Sequence, residues 1–162
     1  MSDERFAEHL QYPVGRGAQI DDARSGAAGG VACGDLITVS VRVEGDRVAQ
    51  AAFEASGCGA TIAAGSAAVT LVEGQALLDA ARVSAQAIAA ELGGLSAGKI
   101  HAADLAADAL HRALGAAASD RARLAANPDR TLVAMSGGVD SAVAALLISF
   151  VVIQHMCVVI KP

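Results

Sequence analysis

The clearest pattern in the chain is the alternation from Asp35 to Val43. Ile37, Val39, Val41 and Val43 point one way, and Thr38, Ser40 and Arg42 point the other. A period of two marks a half-buried β-strand. Glu44-Gly45-Asp46 supplies a turn, and Arg47 to Ala55 returns as a second strand with Phe53 near its end. The two form a small antiparallel sheet. Residues 14–31 are rich in Gly and Ala and read as a long loop, within which 18–24 is the candidate third strand. Asp3 to Gln11 reads as a short helix with acidic residues in its first turn, ended by Tyr12-Pro13. Ala60 to Val72 suits a helix of small residues, broken at Glu73-Gly74. Residues 75–92 hold one or two short helices, ended by Gly93-Gly94. His101 to Gly115 is helical, with Leu105, Ala109 and Ala113 on one face and Asp108 spaced to pair with Arg112.

A different unit follows the Ala-rich segment 117–130, which reads as a linker. Thr131 to Met135 is a short buried strand. Ser136-Gly137-Gly138-Val139-Asp140-Ser141 is a tight Gly-rich loop, and an apolar helix starts at Ala142. Strand, loop and helix in this order grip phosphate with backbone N–H groups and the helix dipole. The run 142–160 approaches the roughly 20 apolar residues of a membrane span, but Gln154 and His155 interrupt it. A buried helix followed by a strand is the expectation, with a tail anchor as the lesser alternative. Such a tail, without the rest of its domain, exposes apolar surface and favours self-association. The chain thus divides into a domain at 1–116, a linker at 117–130 and a truncated segment at 131–162.

Length and composition narrow this picture. With 162 residues there is room for one modest domain and part of another. Aromatics are only 2%, so the core must be built from Ala, Val, Leu and Ile. The net charge is −5 and the basic residues are scattered, which argues against strong nucleic-acid binding by this chain alone. Residues 1–11 are polar and charged, unlike a secretory signal, and three cysteines is an odd count. A reducing cytoplasm follows, with thiols as ligands or nucleophiles.

Three short stretches carry candidate chemistry: Ala32-Cys33-Gly34-Asp35, Ser56-Gly57-Cys58-Gly59-Ala60 and Lys99-Ile100-His101-Ala102. A hairpin brings its outer ends together, so Cys33, Asp35 and Cys58 should meet. The amides at the start of the helix after Cys58 favour a thiolate there. Blander readings stand beside these. The two cysteines can be buried inert thiols, Asp35 a turn residue, and His101 a solvent-facing helix residue. Lys99 is either a solvated charge or a cation that favours the thiolate. Ligation by Cys33, Asp35, Cys58 and His101 is preferred, giving two sulfurs, a nitrogen and an oxygen, a set suited to zinc or a labile [2Fe–2S] centre. His9, His111 and His155 lack such company and are expected on surfaces, and Cys157 is read as a core or tail thiol.

Residues 5–116 resemble the NifU/IscU-type iron–sulfur cluster scaffold. The residues that carry the resemblance are Glu8-His9, Pro13 and Gly15, the stretch Ala32 to Asp35, Gly57 to Ala63, Lys99 to Ala102, and Leu105 to Ala109. The resemblance implies an α+β fold, a small three-stranded antiparallel sheet packed by helices with the ligand loops at one end. It implies a scaffold that binds iron or a [2Fe–2S] cluster, takes sulfur from a cysteine desulfurase and serves iron–sulfur acceptor proteins. Cys33 and Cys58 match the first two family cysteines. Asp35 matches the aspartate linked to cluster lability and transfer, and His101 the histidine beside the third cysteine. That third position is Ala102 here, where the family has a cluster ligand and common persulfide acceptor. The proline-containing chaperone-recognition segment of the IscU branch is replaced by Leu95-Ser96-Ala97-Gly98-Lys99.

Residues 131–147 resemble the start of an ATP-pyrophosphatase domain of the tRNA 2-thiouridylase type, a truncated α/β unit. The resemblance assigns Ser136, Gly137, Gly138, Asp140 and Ser141 to an ATP loop, and implies tRNA as a partner of a complete fused enzyme that adenylates a uridine and then installs sulfur. Residues 148–162 depart from that pattern, and the chain stops before any of the family's catalytic cysteines. Three functions are therefore in view: a cluster scaffold or carrier, the N-terminal part of a scaffold–thiouridylase fusion, and a zinc-holding adapter that docks a desulfurase, the last motivated by Ala102.

Overall fold

A computed structural model describes residues 2–30, 34–121, 131–135 and 156–160. The chain splits into two units, Met1–Arg121 and Ala122–Pro162. The first is α+β, with a three-stranded antiparallel sheet in the order β1-β2-β3 (Arg24–Gly29, Leu36–Glu44, Arg47–Ser56). Its helices are α1 (Ser2–Gln11), α2 (Gly59–Val72), α3 (Leu77–Ala80), α4 (Ala85–Glu91) and α5 (Ile100–Arg121).

The alternation in β2 does what its period requires. Ile37, Val39 and Val41 are fully buried, while Leu36 and Glu44 are exposed. Strand β3 pairs with β2 from Leu36↔Ser56 to Glu44↔Arg47 and lays Val48, Ala51 and Phe53 into the same core. Helix α2 lies at the centre. Ten of its residues are buried, and a helix apolar on nearly every side belongs inside a core. Its backbone comes close enough to Phe53 that a Cβ on Gly65 would overlap the ring. Small residues thus replace the missing aromatics by close approach instead of by bulk.

The third strand is at 24–29, and not at the expected 18–24. Its inward positions are Gly26 and Ala28, which give no apolar signal. The reason is α5, whose backbone at Ala109 and Ala113 stands where a Cβ of Gly26 would be. Arg112, on the same helix, donates one guanidinium N–H to the Ala27 carbonyl at 2.9 Å and another to Asp108 at 2.8 Å. The Asp108–Arg112 pair is the one expected from the i,i+4 spacing.

Helix α5 also runs further than the expected 101–115. It starts at Ile100 and continues to Arg121, so 117–121 are helical and not linker. Ala102, Ala106, Ala109, Leu110, Ala113 and Ala117 form one buried stripe, and Ala117 extends the apolar face past Gly115.

His9 is buried, contrary to the expected surface position. Its Nδ1 lies 2.8 Å from the Ser66 hydroxyl, and that hydroxyl accepts the Val14 N–H at 2.9 Å. Nε2 is 3.8 Å from Glu91. The histidine therefore ties α1 to α2 and to the end of α4, and its sequence neighbours gave no hint of these distant partners. His111 is exposed as expected, and donates from Nε2 to the Val83 carbonyl at 2.9 Å.

In the second unit, β4 (Thr131–Met135) pairs in parallel with β5 (Met156–Ile160), from Thr131↔Met156 to Met135↔Ile160. Cys157 lies on β5. The expected loop 136–141 and helix after it, with His155, lie outside the described residues. Among the described residues, no helix is long and apolar enough to cross a membrane.

Candidate metal centre

The open end of the β2–β3 hairpin builds the site. Leu36 pairs with Ser56, so Asp35 and Gly57 emerge side by side. Gly57 has φ of 140°, and a Cβ there would run into the Asp35 carboxylate. Only glycine lets the chain turn at this point with a carboxylate pressed against it. The next residue, Cys58, is the N-cap of α2 with extended backbone. Its amide donates to Asp35 Oδ1 at 2.7 Å, and its Sγ lies 3.4 Å from Oδ2. His101, in the first turn of α5, puts Nε2 at 3.0 Å from the same Oδ2.

The candidate ligand atoms of Asp35, Cys58 and His101 all lie within 4.8 Å of one another. Asp35 is buried, Cys58 exposed, and the His101 side chain 46% exposed, so the group opens to solvent on its sulfur and imidazole side. A cavity of about 500 Å³ faces it, walled by Phe6 and Leu10 of α1 and by Gly98 and Lys99. Lys99 Nζ sits 4.7 Å from the centre of the Phe6 ring, a cation–π contact that holds α1 against the rim. Neither sequence reading of Lys99 foresaw that contact.

Asp35 carries a carboxyl below its ordinary value of 3.8. The Cys58 amide is the main cause. Burial opposes it, and contacts with His101, the Cys58 thiol and the Thr61 hydroxyl add to it. A depressed carboxyl contributes stability that is present above the unfolded-state value and lost as pH falls through the folded one. In metal-free protein, Asp35→Asn should therefore flatten the loss of thermal stability below about pH 4. An unchanged acid limb in melts from pH 6 to 2.5 would contradict this.

The sequence-derived site is brought together in three of its four members. Cys33 lies outside the described residues. On either side of it, the Gly30 N–H donates to the Asp35 carbonyl at 3.0 Å and the Gly34 N–H to the Gly30 carbonyl at 3.1 Å. Ala102 is fully buried beside His101. The candidate ATP-loop residues Ser136, Gly137, Gly138, Asp140 and Ser141 also lie outside the described residues. Two residues that the sequence reading named only within longer stretches, with no role at the site of their own, take one here. One is Gly57. The other is Thr61, fully buried, with its hydroxyl 3.4 Å from Cys58 Sγ. Its signal was there in the spacing, since a hydroxyl three residues after an N-cap can reach back to it.

A thiolate, an imidazole and a carboxylate around one point form a mixed soft and hard donor set, which suits zinc or iron over magnesium or calcium. The family described as NifU-like N terminal domain matches residues 1–122. A Rubrobacter xylanophilus protein named bifunctional protein NifU/MnmA is 42% identical over 163 residues, covering 89% of this chain. The chain spans about a third of that relative, 32% of its length. An iron–sulfur cluster assembly scaffold protein IscU of Archaeoglobus fulgidus is 37% identical over 115 residues, covering 70% of this chain and 74% of its own. In fold, a crystal structure of a hypothetical protein superposes with a TM-score of 0.58 at 23% identity, covering 70% of this chain and 96% of its own. A candidate scaffold for the SUF system from Fervidobacterium islandicum gives 0.52 at 19% identity, with 68% and 94% covered. The chain belongs to the NifU-like N-terminal domain family.

Proposed function

We propose that this chain is an iron–sulfur cluster assembly scaffold that receives iron and sulfide at Cys33, Asp35, Cys58 and His101 and releases the product to acceptor proteins. The carrying observation is the convergence of Asp35, Cys58 and His101 at the mouth of a solvent-open cavity. Cluster and iron are cargo here. A site for cargo must hold it and let it go, and two features serve release. Cys58 and His101 are accessible to an acceptor. Asp35, already held by the Cys58 amide and by His101, can take up either partner again when metal leaves. Ala102 supplies no donor, so a cluster here has weaker thiolate ligation than a three-cysteine site. The sulfur donor that fits this role is a cysteine desulfurase.

Iron and acid-labile sulfide, measured on protein purified without oxygen, test the reading. Matching iron and sulfide are expected in the wild type, falling at least several-fold in Cys58→Ala. Unchanged contents in that variant would refute the site. Stoichiometric zinc without sulfide would replace the scaffold by a zinc-holding adapter.

A second role rests on the match to a NifU/MnmA protein over 89% of the chain and on the ATP-loop pattern from Ser136 to Ser141. In this role the domain is the leading part of a longer protein that passes sulfur to tRNA uridine, with ATP bound by the completed second domain. Loss of 2-thiouridine from tRNA on deleting the gene is expected. Unchanged 2-thiouridine would exclude it.

A further inference from the structure

We propose that Thr61 is a positioning residue of the metal centre, its hydroxyl fixing the Cys58 sulfur toward Asp35 and His101. This rests on the scaffold reading of the site but concerns a residue outside the ligand set. Thr61 has no exposed surface, and a buried hydroxyl must find a partner. A helical threonine commonly bonds a carbonyl of the preceding turn. Here the hydroxyl instead lies 3.4 Å from Cys58 Sγ, and it also touches the Asp35 carboxylate. Thr61 is the third residue of α2, and its own amide donates to the Cys58 carbonyl at 3.1 Å. Backbone and side chain thus both reach back to the N-cap residue.

The chemistry gives this contact a direction. Carboxylate and thiolate are both acceptors, so once Cys58 is a thiolate or a metal ligand, Asp35 can no longer receive a hydrogen from it. The Thr61 hydroxyl, whose one hydrogen can go to the Asp35 carboxylate or to the sulfur, is then a side-chain donor within reach of the sulfur. A hydrogen bond to a ligand atom orients it and draws off electron density, and loss of such a partner typically costs about 10–100-fold in metal affinity.

Three variants separate the hydroxyl from the packing. Thr61→Ser keeps the hydroxyl and loses the methyl, Thr61→Ala loses both and so differs from Ser by the hydroxyl alone, and Thr61→Val keeps the shape without the hydroxyl. The probe is Co²⁺, read by the sulfur-to-metal charge-transfer band, with circular dichroism as the check on folding. Thr61→Ser should resemble the wild type. Thr61→Ala and Thr61→Val should bind about 10–100-fold more weakly and show the band shifted to the red, because the sulfur becomes more electron-rich. If Val does not fold, the Ser–Ala pair decides.

A second readout needs no metal. Cys58 Hα–Hβ couplings by NMR should report one fixed χ1 rotamer in the wild type and Thr61→Ser, and averaged rotamers in Thr61→Ala. Equal couplings and equal cobalt spectra in Ser and Ala would overturn the proposal. So would loss in Ser as complete as in Ala. A wild type that takes up no Co²⁺ yet shows fixed couplings, averaged in Thr61→Ala, would sink the metal centre and leave the positioning role standing.

Discussion

Gly57→Ala should lose metal binding by on the order of 100-fold or more, as expected when a ligand and its support are both displaced. The added methyl meets the Asp35 carboxylate, its Cγ and its Cα, and the residue must also hold φ at 140°. Either the carboxylate swings away from His101 and the Cys58 amide, or the hairpin end opens. Both outcomes dismantle the site. Gly74→Ala is the matched control. Gly74 also has positive φ, 77°, but a Cβ there meets nothing within 4 Å. It should cost only the backbone strain of about 1 kcal/mol and keep its Co²⁺ affinity. Equal affinities for the two variants would show that the carboxylate contact is unimportant.

Gly26→Ala should strongly destabilise the first unit. Its Cβ would coincide with backbone atoms of Ala109 and Ala113 and press on Arg112 Cβ. Backbone on both sides cannot yield by a rotamer change, so α5 must lift from β1. Overpacking typically costs about 1–3 kcal/mol, and with no soft neighbour the upper end or beyond is expected. That corresponds to a fall in Tm of roughly 10 °C for a domain of this size. His101 rides on α5, so the displacement should also weaken metal capture. The measurements are a thermal melt and a Co²⁺ titration. A Tm within about 2 °C of the wild type would mean that α5 can lift from β1 at little cost.

These two glycines mark what the sequence made legible. The β2–β3 hairpin, α2 and the meeting of Asp35 with Cys58 were readable, because alternation and turn residues set strand pairing and pairing sets which ends touch; His101 joined them through the chemistry of the ligand set and the family resemblance. Strand β1 was hidden. Its inward residues are Gly26 and Ala28, chosen for a close helix and so without apolar character. His9 was misread for a related reason, since its partners Ser66 and Glu91 are 57 and 82 positions away, and local pattern carries no information about them. Thr61 was named only within the stretch Gly57 to Ala63 and given no role of its own, although its spacing from Cys58 was visible. The end of α5 was placed too early because Ala-rich sequence after Gly115 resembles a linker until Ala117 is seen to continue the buried stripe.

The Arg112 bridge to Ala27 has a consequence for behaviour in a crowded solution. Strand β1 is one of the two outer strands of the sheet, and an outer strand with free carbonyls can template the addition of another chain. At Ala27 that carbonyl is already taken by a guanidinium, itself braced by Asp108. An incoming strand would have to break a charge-assisted bond before making its first one. The small, nearly featureless strand that let α5 come so close thereby has one fewer acceptor to offer its own copies.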